Sequence, residues 1–144
     1  MQITGEWYIG DDGTARPVLR GEILTENGSW LKAPFLVDTG ADRTVFSAAI
    51  LSHLHLPAFV SQDRLGGVDG LTESVIVETQ IRFSRETEGK VVFRGRYAAI
   101  PQLEMLDISV LGRDITGLFA VIVDQPRNVV YLLGQRHQYS ITQS

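Results

Sequence analysis

The sequence contains no cysteine. Disulfides and a cysteine nucleophile are therefore excluded, which is compatible with a reducing compartment. No apolar run approaches the roughly 20 residues that a membrane-spanning helix needs. Residues 1–10 have neither the basic start nor the long apolar centre of an export signal. We therefore expect a cytoplasmic protein with no membrane partner.

Several motifs of common enzymes are also missing. There is no Gly-x-Ser-x-Gly elbow, no phosphate-binding glycine loop followed by Lys-Ser or Lys-Thr, and no dinucleotide fingerprint. The 13 basic and 17 acidic residues give a net charge of −4 and are scattered without blocks. This pattern argues against a nucleic-acid partner. His53 and His55 lack a third ligand at sensible spacing, so no metal is expected.

The 144 residues fit one domain, spanning 1–144, that buries roughly two thirds of its unfolded surface. Two strand-like runs, Val18 to Glu26 and Ser29 to Val37, flank Asn27-Gly28. An Asn-Gly pair between such runs is the strongest short-range hairpin signal, because both residues accept positive φ. The sequence therefore predicts a hairpin that ends at Asp38.

Further strands dominate the rest of the chain. Two short helices are predicted at Ser47–Leu56, with Ser47 as N-cap, and at Arg113–Phe119. Alternation of apolar and polar residues, or short apolar runs, predicts the other strands: Glu73–Phe83, Val91–Ala99, Ile108–Leu111, Ala120–Asp124 and Val129–Leu133. The expected fold is all-β, a closed or nearly closed β-barrel with one or two short helices.

One acidic element carries the chemistry. Residues 35–41 read Phe-Leu-Val-Asp-Thr-Gly-Ala, an apolar strand that runs into a carboxylate, a hydroxyl and a glycine. In isolation, Asp38 could simply be an acid that forms an Asx-turn at a strand end. Acid and base catalysis with carboxylates needs two of them, one protonated and one ionised. The chain contains this element once, so the second carboxylate has to come from elsewhere.

Phe35 to Ser47 (FLVDTGADRTVFS) together with Val110 to Asp114 (VLGRD) resembles the paired signature of the retropepsin-like aspartic proteases, in their cellular or bacterial branch. The resemblance covers about residues 18–133. It implies a closed acid-protease β-barrel and an aspartic endopeptidase that acts as a homodimer on polypeptide substrates. It also implies that water is activated between two copies of Asp38, without a metal or organic cofactor.

The resemblance also implies roles for individual residues. Asp38, Thr39 and Gly40 form the catalytic signature, in which the Gly40 amide can donate to the carboxylate and the Thr39 hydroxyl bonds across to a partner chain. Arg113 and Asp114 give structural support, and Arg113 pairs with Asp42. Arg113→Ala is then expected to be unfolded or monomeric if that pair is partly buried. The substrate-binding residues implied are Ala41, Asp42, Gly66, Gly67, Val68, Asp69 and Gly70, with Arg43 and Thr44 lining the groove.

Three glycines in five residues, Gly66, Gly67 and Gly70, resemble the tip of the retropepsin flap, whose backbone amides bind the substrate main chain. An ordinary glycine-rich loop is the alternative interpretation. Asp69 departs from the small or apolar residue usual in a flap.

The segment Phe119 to Leu133 departs from the viral pattern, in which the chain ends soon after the helix. This hairpin could form an interface sheet, or it could complete the protomer and leave residues 1–9 and 139–142 as pairing edges. A second functional hypothesis is a catalytically silent, protease-like module that binds or assembles around an extended peptide. A β domain with an incidental Asp-Thr-Gly is a remoter third.

Overall fold

A computed structural model describes residues 1–67, 70–134, 140 and 142, and for residues 62–67 and 70–72 it describes the backbone. Within these residues eleven strands and two short helices follow one another along the chain. They are β1 (Gln2–Thr4), β2 (Glu6–Ile9), β3 (Ala15–Leu24), β4 (Trp30–Val37), β5 (Val45–Phe46), α1 (Ala48–Leu54), β6 (Phe59–Gly67), β7 (Gly70–Ser84), β8 (Lys90–Ala99), β9 (Ser109–Leu111), α2 (Arg113–Thr116), β10 (Ala120–Asp124) and β11 (Val129–Leu133).

Eight strands form the main sheet, in the order β2-β3-β4-β9-β5-β8-β7-β6. An additional pairing joins β3 to β7, so six of these strands close into a ring. The remaining strands form a second sheet in the order β1-β11-β10. The all-β, barrel-like prediction is therefore confirmed.

The interior of the ring is filled by alternating apolar side chains. Phe35 lies at its centre, with its ring centroid 5.8 Å from that of Phe83 and 6.3 Å from that of Phe46. Leu132 and Val130 of the second sheet belong to the same buried cluster. Burial of this apolar surface supplies the main driving force for folding. That the chain is one domain stays a prediction, and the shared core is compatible with it.

The first hairpin differs from its prediction in the turn. The loop between Thr25 and Ser29 has three residues, not two, and only Gly28 has a positive φ, of 86°. The side-chain oxygen of Asn27 instead accepts hydrogen bonds from the hydroxyl groups of Thr25 and Ser29. A three-residue loop that ends in a left-handed glycine is the next most common hairpin connection. The hairpin itself, and its delivery of Asp38, are as predicted.

Both predicted helices are present, and each is shorter than predicted. The first begins after the predicted N-cap, where the Ser47 hydroxyl accepts from the Ile50 amide, and it ends at Leu54 because His55 adopts a left-handed φ of 55°. The second is limited to residues 113–116, because the amides of Leu118 and Phe119 bond three residues back and tighten the chain into turns. No helix among the described residues is long and apolar enough to cross a membrane.

The closing hairpin, β10 and β11, has the predicted bounds. Strand β11 pairs with β1, from Gln2 opposite Leu133 to Thr4 opposite Tyr131. Strand β2 pairs with β3 in the main sheet. The hairpin and the N-terminal strands are thus joined within one chain. Of the pairing edge expected at 139–142, only residues 140 and 142 are described, neither of them in a strand.

An ion cluster lies where β3 and β7 close the ring. The Nε of Arg82 lies 3.0 Å from the Glu22 carboxylate, and the Nζ of Lys90 lies 3.2 Å from it. The Arg82 guanidinium also stacks on the Trp30 ring, 3.9 Å from its centroid. These bonds, with that from Arg82 first, lower the pKa of Glu22 below its usual value of 4.5.

We predict that Glu22→Gln lowers the free energy of unfolding at neutral pH by about 1–2 kcal/mol, because it leaves two cations without their carboxylate. A carboxylate whose pKa is lowered by folding stabilises the protein above its unfolded pKa, and this contribution is lost as the pH falls through the folded pKa. The difference between the two proteins should therefore close below about pH 4.5.

Denaturant unfolding at a series of pH values measures this difference. Glu78→Gln is the control, because the Glu78–Arg96 pair is 3.5 Å apart with both side chains largely exposed, and it should change stability by less than about 0.5 kcal/mol. A stability loss in Glu22→Gln that stays constant down to strongly acidic pH would contradict the assignment.

Candidate active site

Asp38 lies where two parallel strands end side by side. Strand β4 pairs in parallel with β9, with Val37 opposite Leu111, and the Asp38 amide donates to the Leu111 carbonyl at 3.1 Å. The two signature segments, 70 residues apart in sequence, therefore leave the sheet at the same edge. Parallel strands present the ends from which their loops emerge at one side of the sheet, which explains the juxtaposition.

Asp38 is half-buried as a residue, and its carboxylate is held by its own loop. The Gly40 amide donates to Oδ1 of Asp38 at 2.9 Å, which is the predicted contact, and the Ala41 amide donates to the Asp38 carbonyl at 3.2 Å. A Cβ at position 40 would lie 3.2 Å from Oδ1. Glycine therefore allows the amide to approach the carboxylate and to orient it.

Arg113 connects the loop after β9 to the loop after β4. Its guanidinium donates to the Thr39 carbonyl at 2.7 Å and to the Asp42 carboxylate, and its amide donates to the Ala41 carbonyl at 2.8 Å. The predicted pairing of Asp42 with Arg113 is present. The pair is not buried, however: the two side chains are 84% and 49% exposed in the single chain.

A second connection, between Thr44 and Asp114, lies beneath the first. The Thr44 amide donates to both oxygens of the Asp114 carboxylate at 2.9 and 3.0 Å, and the Thr44 hydroxyl donates to Oδ1 at 2.7 Å. The same hydroxyl accepts from the Gly112 amide at 3.2 Å. Thr44 is fully buried. The prediction that Thr44 lines a substrate groove is therefore wrong, because its side chain is used inside the protein.

Gly112 is needed where the two loops touch. A Cβ there would lie 2.3 Å from the carbonyl carbon of Arg43, a distance that backbone atoms cannot accommodate. Nearby, the Ser47 amide donates to the buried Ser109 hydroxyl at 3.0 Å. Sequence reasoning missed Thr44, Ser47 and Ser109 as parts of this framework. Gly112, the glycine of Gly-Arg-Asp, was the one feature of the sequence that could have indicated the close approach of the two loops.

The predicted flap corresponds to the hairpin of β6 and β7. The strands pair out to Gly66 opposite Leu71 and Gly67 opposite Gly70, so these three glycines lie in strands. The register shifts between Val60 and Arg64. Val68 and Asp69 lie outside the described residues, and a substrate-binding role for any of the five remains a prediction.

The three acids of the two loops differ in their partners. Asp42 pairs with Arg113, and Asp114 accepts three hydrogen bonds from Thr44. Within the part of the chain that the structure describes, Asp38 forms no ion pair and its carboxylate accepts from the Gly40 amide. No group of three potential metal ligands is found among the same residues.

Comparison with solved structures identifies the fold. A retropepsin-like aspartic protease from Rickettsia conorii superposes with a TM-score of 0.57 at 17% sequence identity, covering 92% of this chain and 88% of that one. The EIAV protease, complexed with the inhibitor HBY-793, superposes with a TM-score of 0.52 at 24% identity, covering 71% of this chain and 86% of that one. No family model and no curated protein sequence matches the chain.

We predict that Thr44→Val loses about 1–2 kcal/mol of stability, because it removes one of the three hydrogen bonds to the Asp114 carboxylate and takes the acceptor from the buried Gly112 amide. Thr44→Ser keeps the hydroxyl and is the control, with a loss of at most about 1 kcal/mol. Denaturant unfolding compares the two. Equal losses in both variants would show that the methyl group and not the hydroxyl matters.

The exposure of the Asp42–Arg113 pair revises the expectation for Arg113→Ala. An exposed ion pair contributes about 1 kcal/mol or less, so we now expect the isolated chain to remain folded. Circular dichroism and thermal unfolding test this. A chain that is unfolded at room temperature would restore the original expectation.

Proposed function

We propose that this protein is an aspartic endopeptidase that hydrolyses peptide bonds between two Asp38 carboxylates, each supplied by one chain of a homodimer. The observation that carries the proposal is the state of Asp38. Its carboxylate lies at the end of β4 and is oriented by the Gly40 amide. It forms no ion pair with any described residue. The retropepsin-like fold of the chain supports the same reaction class.

The second carboxylate comes from a second copy of the chain. The other two acids of the paired loops are engaged, Asp42 by Arg113 and Asp114 by Thr44. A two-fold axis close to Asp38 brings two identical carboxylates together, since each residue at such an axis meets its own copy. Two carboxylates in hydrogen-bonding contact do not both ionise cheaply, so the pair holds one proton over a broad pH range.

The reaction then proceeds by general acid and base catalysis. The ionised Asp38 takes a proton from a water molecule, whose oxygen forms a bond to the carbonyl carbon of the peptide. The protonated Asp38 of the second chain polarises the carbonyl oxygen through its hydrogen bond. As the C–N bond breaks, a proton passes to the leaving amine, which leaves one proton on the carboxylate pair. The chain's own groups suffice for this sequence of steps.

The neighbouring residues have supporting roles in this proposal. Thr39, which is exposed at the tip of the loop, bonds to the matching loop of the partner chain. Ala41 and Asp42 border the bound peptide, and the hairpin tip at residues 66–70 closes over it and binds its main chain. Arg113 and Asp114 keep the two loops in register through the contacts described above.

We predict that Asp38→Asn lowers the rate of peptide cleavage by at least about 10³-fold, because an amide cannot take a proton from water. Cleavage of a peptide library by purified protein is the measurement. Asp124→Asn, which removes a carboxylate from the β10–β11 turn, is the control and should cleave at the wild-type rate.

Cleavage that is equal in wild type and Asp38→Asn would overturn the enzyme assignment. Peptide binding without cleavage in the wild-type protein would favour the catalytically silent binding module instead.

We also predict that activity per chain falls steeply on dilution, because each protomer supplies half of the catalytic pair. Sedimentation over the same concentration range should show the dimer dissociating where activity is lost. Specific activity that stays constant while the protein is monomeric would rule out a site shared between two chains.

A further inference from the structure

The outer wall of the barrel carries a concentration of basic side chains. Six of them project from four neighbouring strands, β4, β3, β7 and β8, and we call this surface the cationic face: Lys32, Arg20, Arg82, Lys90, Arg94 and Arg96. They are nearly half of the 13 basic residues in a chain whose net charge is −4. Although the chain is acidic overall, nearly half of its basic side chains therefore lie on one wall of the barrel.

Strand alternation explains why these side chains share a face. In β3, Leu19 and Ile23 are buried in the core, so Arg20 and Glu22 point outward. In β7, Ile81 and Phe83 are buried, so Arg82 points outward. Cross-strand register then places Arg82 opposite Glu22 and Arg94 opposite Gln80.

Carboxylates on this wall neutralise only part of its charge. Glu22 serves both Arg82 and Lys90, Glu6 lies 2.6 Å from Arg20, and Glu78 lies 3.5 Å from Arg96. The six basic side chains thus have three carboxylate partners among the described residues, which leaves three positive charges in excess within this set. Lys32 and Arg94 are exposed and form no ion pair with any residue that the structure describes.

Two hollows open on the same wall, one at each side of the Glu22–Arg82 pair. The first, of about 430 Å³, is lined by Arg20, Lys32 and Lys90 together with Glu22, Pro34 and Ser84. The second, of about 460 Å³, is lined by Arg94 and Arg96 together with Leu24, Leu56, Glu78 and Gln80. Each has the size of a ligand site, and each combines cations with aliphatic surface.

We propose that the cationic face is a docking surface for an acidic, extended polypeptide segment, with acidic side chains of the segment received in both hollows. Both hollows are lined by β3, β7 and β8, and their linings lie four residues apart along β7 (Ser84 and Gln80) and along β8 (Lys90 and Arg94). This separation is roughly 13 Å, which an extended chain crosses in about four residues. Lys32 in the first hollow and Arg94 in the second, which have no ion-pair partner among the described residues, supply the charges that such a segment neutralises.

The composition of the face favours a peptide over a nucleic acid. Stacking of bases needs an open aromatic ring, and one side of the Trp30 ring is covered by the Arg82 guanidinium. Glu22 at the centre of the face would repel a continuous phosphate backbone, whereas a peptide can place its acids to either side. The net negative charge of the whole chain further weakens non-specific attraction of nucleic acid.

The position of the face gives it a role in the proposed reaction. Lys32 lies six residues before Asp38 in the strand that leads to it, or roughly 20 Å along the barrel. On the assumption of the proposed peptidase function, the face binds a part of the substrate remote from the scissile bond. Substrates with an acidic stretch at least about six residues from the cleaved bond would then be preferred.

Binding is tested without catalysis, by fluorescence anisotropy with a labelled oligoglutamate of about six residues at low ionic strength. We expect saturable binding that salt weakens and that an oligoglutamine of the same length does not show. Lys32→Gln and Arg94→Gln should each weaken it about two- to fivefold, in line with single exposed charges. Arg127→Gln, which removes a charge from the β10–β11 turn, is the matched control and should bind as the wild type.

Absence of oligoglutamate binding would overturn the proposed face. An equal loss of binding in Arg127→Gln would overturn it as well, because only the net charge of the protein would then matter. Tighter binding of an oligothymidine of the same charge would also overturn it, in favour of nucleic acid. For the role in catalysis, an oligoglutamate tail on a cleaved peptide should lower KM without changing kcat, and Lys32→Gln should reduce that gain. Oligoglutamate binding in a protein that cleaves no peptide would reject the peptidase and keep the docking face.

Discussion

The close approach of two loops at one sheet edge is the constraint on which the site depends. The parallel pairing of β4 with β9 brings the loops together, and the missing side chain of Gly112 lets the backbone of Arg43 come within van der Waals contact. The Thr44–Asp114 hydrogen bonds and the Arg113 guanidinium then hold the loops in register. These contacts fix the position of Asp38, as the acid and base chemistry that we propose for it requires.

The two connections between these loops differ in energetic character. The Thr44 network is buried at the hydroxyl, so an unmet donor or acceptor there carries a desolvation cost. The Asp42–Arg113 pair is solvated in the single chain and contributes little alone. Its value increases if a second chain covers it, because screening by water is then reduced. The buried hydrogen bonds of Thr44 therefore stabilise the frame within the single chain, and the outer ion pair adds little to them.

Basic side chains gather on the wall formed by β4, β3, β7 and β8. Glu22 has a part in both stability and surface charge, because it closes the ring against Arg82 and divides the cationic face into two hollows. Glu22 therefore contributes both to the stability of the fold and to the surface that we propose binds an acidic peptide.

Local signals sufficed for seven of the eleven described strands, but not for β1, β2, β5 and β6. They also sufficed for the N-cap at Ser47 and for Asp38 at a strand end, because alternation, capping and turn chemistry act over a few neighbouring residues. The relation between the Asp-Thr-Gly and Gly-Arg-Asp segments was expected from the resemblance to the retropepsin-like proteases, and the parallel pairing of β4 with β9 brings the two segments together. Local patterns did not reveal the Thr44–Asp114 bonds, the exposure of Asp42 or the gathering of six cations on one wall. Those features depend on which distant strands become neighbours, and pairing across 50 to 70 residues is set by packing of the whole core, which no short stretch of sequence encodes.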